Sequence, residues 1–478
     1  VEGQLQWLQP EALWCTVDRM SELNPLGLDE RDFFEGFPST ALRTDLYELT
    51  MSAAALKAGT AHKRATFELF GRKLPTGRRY GVVAGVQRAI DAVENFHFTD
   101  EQLDYLARQP MLSNELLEEL RDFSFSGTLT GYPEGSLYFP YSPILRVEGT
   151  FLECVLLETV LLSIYNHDSA IASAASRMVQ ATRGKFGLIE MGSRRTHEDS
   201  AVAVARAAYI AGFQATSNIE AGLRYGIPIT GTAAHAFTLS FGDEREAFKA
   251  QIDALGRNTT LLVDTYDIQQ GIRNAVEVAG PELGGIRIDS GDLHEETVRA
   301  RQLLDSLGAT KTKIILSSDI DEYSLSEMVE RGTPVDGAGA GTRVATGSGH
   351  PTCGMVYKLV EREAEDGTMV PVAKRAAGKK SLGGLKTPVR AIDGEGTYGR
   401  EILFSRADGD ILALDEFRET PLAFQQVPLF DPADPDVYDG SLEAAQDRLR
   451  SELAHLPEEA LSVIAGDPLL EAQPYEAH

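Results

Sequence analysis

The sequence predicts an α/β protein with a parallel sheet, and two observations carry that prediction. From Phe186 to Gly341, strand-like runs (FGLIEMG, FQAT, IPIT, TLLVD, GIRID, KIILS and VDGAGA) alternate with helical patterns at Asp199 to Ala211, Asn218 to Arg224, Glu244 to Leu255, Ile268 to Val278, Asp292 to Leu307 and Asp321 to Arg331. Repeated βα units place their strands parallel, in a sheet that is either doubly wound or closed as a barrel. Each run also ends in polar or glycine residues: Gly192 to Arg195, Thr216 to Asn218, Thr232 with His235, Asp264 to Asp267, Asp289 to Asp292, Ser317 to Asp319, and Gly337 to Thr342. Parallel strands bring all these ends to one edge of the sheet, where such folds bind ligands. Turn and cap chemistry accounts for Asp292, Asp321 and the glycines, but not for Arg194, Arg195, Arg287 and His235.

The segments before this core read in order as follows. TALRTDLYELTMSAAALKAG, from Thr40, predicts a helix with Thr44 as N-cap, Leu46, Leu49 and Ala53 on its apolar face, and Tyr47 and Glu48 off it. Arg64 to Phe70 alternates like a strand. The loop after it carries Arg72, Lys73, Arg78 and Arg79, either a solvated loop or an anion site. Helices at Val83 to Phe96, Thr99 to Arg108 and Asn114 to Phe123, with strands at Phe125 to Leu129 and Ile144 to Gly149, form an α+β module. A long helical stretch rich in small residues follows Leu152, interrupted by Asn166, His167 and Asp168. After the barrel-like core, a basic stretch from Ala373 to Arg390 holds Lys379, Lys380 and Lys386, either contacts for substrate phosphates or part of a flexible exposed loop. A final helix places Leu442, Ala445, Leu449 and Leu453 on one stripe.

Composition narrows the function. A chain of 478 residues suits two or three domains. A net charge of -27 argues against general binding to nucleic acid or anionic membrane. Cys15, Cys154 and Cys353 give neither a disulfide framework nor a zinc ligand set, which points to a reducing cytoplasm. No run is long and apolar enough to span a membrane, and the first residues lack a secretory pattern. Neither a GxxxxGK[ST] phosphate loop nor a strand-borne GxGxxG occurs, so neither a P-loop ATPase nor a dinucleotide-binding dehydrogenase is supported.

The residues that remain suit a phosphorylated sugar. Asp264, Asp289 and Asp319 can accept from vicinal hydroxyls or hold Mg²⁺, and the backbone N–H groups of Gly339 to Thr342 can cradle a phosphate. Arg194, Arg195 and Arg287 offer forked cations to a carboxylate or pyrophosphate. His235, among small neighbours, can act as base, ligand or nucleophile toward phosphorus.

TDLYELTM (Thr44 to Met51), FELFGRKLP (Phe67 to Pro75), GTAAHAF (Gly231 to Phe237), VDTYD (Val263 to Asp267), GIRIDSGDL (Gly285 to Leu293), SSDIDE (Ser317 to Glu322), GAGT (Gly339 to Thr342) and GMVYKLVE (Gly354 to Glu361) together resemble the nicotinate phosphoribosyltransferase family, in order from about Thr44 to Leu385. The resemblance implies an irregular parallel α/β barrel plus an α+β sandwich-like domain built from N- and C-terminal segments. On that reading 1–39 is an extension, 40–150 the α+β domain to which 350–425 returns, 151–349 the barrel, and 426–478 a helical tail. It further implies phosphoribosyl transfer from PRPP to nicotinate, with Mg²⁺, and ATP hydrolysis coupled through a phosphohistidine at His235. Tyr47 would stack on the pyridine ring, Thr232 and Arg287 would contact nicotinate, and Thr342 would bind the 5′-phosphate. Arg194, Ser217, Asn218, Asp289, Ser290, Asp319, Gly339 and Gly341 complete the expected substrate site. The related nicotinamide enzyme carries an aspartate where Ser217 stands here, which favours the acid over the amide as substrate. A homodimer with shared sites, Tyr47 acting in trans, is the expected assembly. In the basic stretch, Gly383 and Gly384 replace the family's common proline-glycine. A nucleotide-binding sensor without catalysis is the alternative of another class.

Overall fold

The computed structural model describes residues 39–374, 382–405 and 411–475. They divide into two compact units, 174–349 and 39–173 with 350–475, each described by itself below. The division falls between Ser173 and Ala174, inside the helix Glu158–Ala181, where the sequence reading starts the barrel at residue 151.

The 174–349 unit is built on a six-stranded parallel sheet in the order Ala215–Thr216, Gly187–Glu190, Gly337–Ala340, Lys313–Ser318, Gly285–Ile288, Thr260–Leu262. Read along the chain, this order follows an interrupted ring: successive strands pair except Ala215–Thr216 with Thr260–Leu262, and the last pairs back onto the first through Gly337↔Gly187 and Ala340↔Glu190. The run IPIT, expected as a strand, contributes only a bridge between Thr216 and Ile229. Pro228 at its centre has no N–H to donate, so the segment touches the Thr216 edge and pairs no further. The ring therefore has one seam among the described residues, between Ile229 and Thr260–Leu262, and the GTAAHAF segment follows immediately after Ile229. Ile286, Ile288, Ile314, Leu316, Leu261 and Ala338 are wholly buried, as strands covered on both faces require. Each such Ile or Leu contributes about 1.5–3 kcal/mol. The intervening helices, Glu198–Ile210, Ile219–Tyr225, Glu244–Leu255, Ile268–Ala279, Leu293–Ser306 and Glu322–Glu330, lie where the sequence predicts, capped by His197, Asn218, Asp243, Asp267, Asp292 and Asp321.

The second unit joins distant parts of the chain. Its antiparallel sheet runs Met369–Pro371, Met355–Glu363, Arg64–Gly71, Leu145–Thr150, Thr128–Gly131, Val427–Phe430, so strands from both ends of the sequence share one ladder. A second sheet orders Leu422–Phe424, Lys386–Ile392, Tyr398–Ser405 and Gln473–Pro474. This is the expected domain of N- and C-terminal segments. The segment from 426 onward is part of it: Val427–Phe430 enters the first sheet, and the helix Leu442–Ala454 buries Ala445, Leu449 and Leu453.

Several local expectations are corrected in this unit. Asp45, not Thr44, caps the helix Leu46–Ala58, whose buried face is Glu48, Leu49, Ser52, Ala55 and Leu56, while Leu46 is half exposed. Glu48 faces inward because its Oε1 accepts from the backbone N–H and hydroxyl of Thr159 at 2.9 and 2.6 Å. Arg64–Gly71 is buried on both faces after its first residue, since it lies between two paired strands and under helices. Lys386, entertained as a phosphate contact, is buried: its Nζ lies 2.8 Å from Glu68 and donates to the carbonyls of Leu382 and Gly384. Lys379 and Lys380 lie outside the described residues. Arg78 is likewise buried and donates to Ala170, so the four-cation loop is not a solvated set.

Candidate active site

The strand ends of the 174–349 unit converge as the parallel arrangement requires. Arg287, third in Gly285–Ile288, donates through Nη1 to the Thr232 hydroxyl and to the Ala233 carbonyl at 3.2 Å. These bonds pin the GTAAHAF segment against the neighbouring strand. His235 opens the helix His235–Leu239, with Nδ1 3.2 Å from the Thr265 hydroxyl and Nε2 3.9 Å from both Asp264 Oδ1 and Asp289 Oδ2. Its side chain is 40% exposed, so the ring is accessible from solvent.

Two acids hold this geometry. Asp264 Oδ2 accepts from the Asp289 N–H and the Ser290 hydroxyl, both at 2.8 Å, while its buried Oδ1 has no hydrogen-bond partner among the described residues. Asp289 Oδ1 accepts from the Ser317 hydroxyl at 2.6 Å. Burial drives the pKa of Arg287 below its ordinary value, and the carboxylates of Asp289 and Asp264 offset that only in part. Its Nε is also buried without a hydrogen-bond partner among the described residues. A guanidinium so placed is short of anionic partners, which a substrate carboxylate or phosphate would supply.

Beside this cluster lies a cleft of ≈ 210 Å³ whose walls include Arg194, Arg195, Arg287, Asp289, Asp319 and Thr342. Gly339 and Gly341 form its floor at the end of the strand Gly337–Ala340, and Thr342 begins the short helix Thr342–Ala345. A Cβ on Gly339 would stand 2.5 Å from Met191 Sδ, so any side chain there would require Met191 to move aside.

The remaining expected residues fall in different places. Ser217 is exposed just beyond Ala215–Thr216, its N–H donating to the Glu190 carbonyl at 2.9 Å. The Asn218 side chain caps Ile219–Tyr225 through Ala221 and donates to the Ser193 hydroxyl at 3.1 Å, so its amide is committed within the protein. Tyr47 belongs to the other unit, where it is 44% exposed. Burial, together with Glu158 and Glu48, pushes its phenol up to about 12. Sequence reasoning passed over Glu190, which is 1% exposed and ends the first barrel strand. The available signal was a carboxylate inside the apolar run FGLIEM. Burial raises its pKa above the ordinary range, against the hydrogen bonds it receives from Thr216 and Gly192. Among the described residues no group of three or more His, Cys, Asp or Glu side chains forms a metal cage.

The chain matches a family model described as the nicotinate phosphoribosyltransferase N-terminal domain over residues 42–166. It is 51% identical over 437 residues to nicotinate phosphoribosyltransferase pncB1 of Mycobacterium tuberculosis, covering 90% of this chain and 94% of that one. It is 41% identical over 386 residues to the nicotinate phosphoribosyltransferase of Bacillus subtilis, covering 79% and 76%. Among solved structures it resembles human nicotinic acid phosphoribosyltransferase with a TM-score of 0.75 and 26% identity, over 90% of this chain and 97% of that one.

Proposed function

The chain belongs to the nicotinate phosphoribosyltransferase family, and from that premise we propose how its own residues carry out the transfer. The reaction joins the ring nitrogen of nicotinate to C1 of the PRPP ribose and releases pyrophosphate, giving nicotinate mononucleotide for NAD salvage. The observation that carries the reading is the Arg287 cluster: a partly unpartnered guanidinium, fixed by Thr232, beside a carboxylate and a cleft ending in a glycine-rich turn.

Arg287 and Thr232 take the nicotinate carboxylate by charge-assisted bonds. Asp289 and Asp319 accept from the ribose hydroxyls, Arg194 and Arg195 face the pyrophosphate, and Thr342 with Gly339 and Gly341 receives the 5′-phosphate. Binding both substrates in one cleft is the main catalytic device, because the oxocarbenium-like transition state needs alignment and a stabilised leaving group. Ser217 offers a hydroxyl where a carboxylate would repel nicotinate, which favours the acid over the amide.

The donor set fits Mg²⁺: Asp289 and Asp319 line one cleft and would offer carboxylate oxygens to an ion carried on the substrate phosphates. When bound, the ion would neutralise charge on the departing pyrophosphate. His235 is the acceptor for the γ-phosphoryl group of ATP: a ring nitrogen bonds phosphorus, the bond to ADP breaks, and water later frees phosphate. Asp264 and Asp289 support it by orienting Nε2. A homodimer is supported by the exposed apolar residues Leu42, Leu46, Tyr47 and Met51 at the tyrosine helix. In that assembly Tyr47 of one copy completes the site of the other. The two described cysteines, Cys154 and Cys353, are free and buried, in keeping with a reducing cytoplasm.

The test is synthesis of nicotinate mononucleotide from nicotinate, PRPP and Mg²⁺, with and without ATP. Product is expected, together with acid-labile label from [γ-³²P]ATP that His235→Ala loses. Higher catalytic efficiency with nicotinamide, or no product with either base, would overturn the reading.

A further inference from the structure

We propose that Glu190 is a positioning residue for the transfer: one buried carboxylate at the end of the first barrel strand suspends two substrate-binding turns at once. The inference rests on the function above, in which the Arg194–Arg195 turn binds PRPP and the turn at Ser217 borders nicotinate.

The two oxygens of Glu190 have different partners. Oε1 accepts from the Gly192 N–H, at the head of the Ser193–Arg195 turn. Oε2 accepts from the Thr216 hydroxyl at 2.6 Å, and Thr216 Oγ1 in turn accepts from the Asn218 N–H at 3.0 Å. Asn218 then donates to Ser193 across the gap, closing a circuit that leads from Glu190 through both turns and back. Thr216 is wholly buried, so water cannot take its place in the circuit.

The first turn is also seated on the phosphate loop. A Cβ on Gly192 would lie 2.6 Å from Ala345 Cβ and 2.9 Å from the Gly341 carbonyl, and the Met191 N–H donates to the Ala340 carbonyl at 2.8 Å. A shift of Gly192 would therefore displace Arg194, Arg195 and the loop at Gly341 together. Only an acceptor on both arms fits two donors without turning one of them round. A carboxylate meets that demand and an amide meets half of it. Burying the charge opposite neutral donors costs stability, and placement of the turns is what it supplies in return.

The experiment compares Glu190→Leu, Glu190→Gln and Thr216→Val with the wild-type protein by circular-dichroism melting, steady-state kinetics, and calorimetric titration with PRPP and Mg²⁺. Glu190→Leu is expected to raise KM for both PRPP and nicotinate about tenfold or more while kcat changes less than about threefold. Glu190→Gln should fall between it and wild type, the amide still accepting from Gly192. Thr216→Val should raise KM for nicotinate and leave that for PRPP within about twofold. A folded Glu190→Leu protein with wild-type PRPP affinity would overturn the proposal, as would Thr216→Val with both constants unchanged. The second result decides alone if Glu190→Leu fails to fold. Wild-type protein that binds PRPP but makes no nucleotide overturns the assigned reaction and leaves the titration to decide on Glu190; no PRPP binding overturns both.

Discussion

Arg390 and Arg287 each lie among carboxylates, one in each unit, and the difference between them separates a closed ion cluster from an open one. Arg390 is wholly buried: Nε donates to Glu401, Nη1 to Glu452 and Nη2 to the Leu137 carbonyl. The rings of Phe139, Tyr398 and Tyr132 stand 5.1, 5.1 and 5.7 Å from its guanidinium carbon. Tyr132 and Ser142 donate to the other oxygen of Glu401, so that carboxylate too is engaged on both sides. Burial works against the Arg390 charge, yet Glu401 and Glu452 hold its pKa above the ordinary value. For Arg287 the balance is reversed: burial wins, and Nε and the neighbouring Asp264 Oδ1 are left without hydrogen-bond partners among the described residues. A cluster whose every arm is met has nothing to offer a ligand; one with arms left over, facing a cleft, does.

The contrast can be broken most directly at its closed end. Arg390→Ala leaves Glu401 buried without its cation and should destabilise the fold by about 3–5 kcal/mol, read as a thermal midpoint roughly 10 °C lower. A midpoint within a degree or two of wild type would show that the closed cluster is dispensable.

At the open end the opposite is expected. Arg287→Met removes a cation that burial already disfavours, so the midpoint should stay level or rise. The value of kcat/KM for nicotinate should fall about 10²-fold as the carboxylate loses its partner. Comparable losses of stability at both arginines would erase the distinction.

Glu48 sharpens the comparison from a third position, because its donors are neutral. Burial raises its carboxyl from 4.5 to about 7, against the bonds from Thr159 and Asp45. The native state therefore keeps a proton that the unfolded chain gives up between those pH values. The contribution of Glu48 to stability should be greatest below pH 4.5 and decline by about 1–3 kcal/mol as pH approaches 7. Glu48→Gln should flatten that slope in denaturant titrations across the window. An unchanged slope would place the titration elsewhere.

How far the sequence could be read follows from what each feature depends on. The barrel elements were legible because alternation of buried runs and capped helices is local: six of the seven runs form strands, and Glu244–Leu255 matches to the residue. IPIT was the exception, for Pro228 withholds a donor that periodicity alone does not count. Arg287 and His235 were visible as charges that capping could not explain and Asp289 as an acid suited to sugar hydroxyls, and the structure brings these candidate residues together. Lys386, Arg78 and Glu48 were misplaced for a common reason. A charged side chain is read as exposed until its partner is known, and Glu68, Ala170 and Thr159 lie far away in sequence. Glu190 escaped notice for a related one, since its partners are a backbone amide and a hydroxyl with no charge to advertise them.

The seam in the parallel ring has a consequence for how the chain beside it is held. Elsewhere each strand is laced on both sides, so a longer connection must preserve the register of two ladders. Between Ile229 and Thr260 no such lacing exists. Changes of length in this connection leave the register of the sheet intact, so the GTAAHAF segment is held by the bonds from Arg287 and not by a ladder.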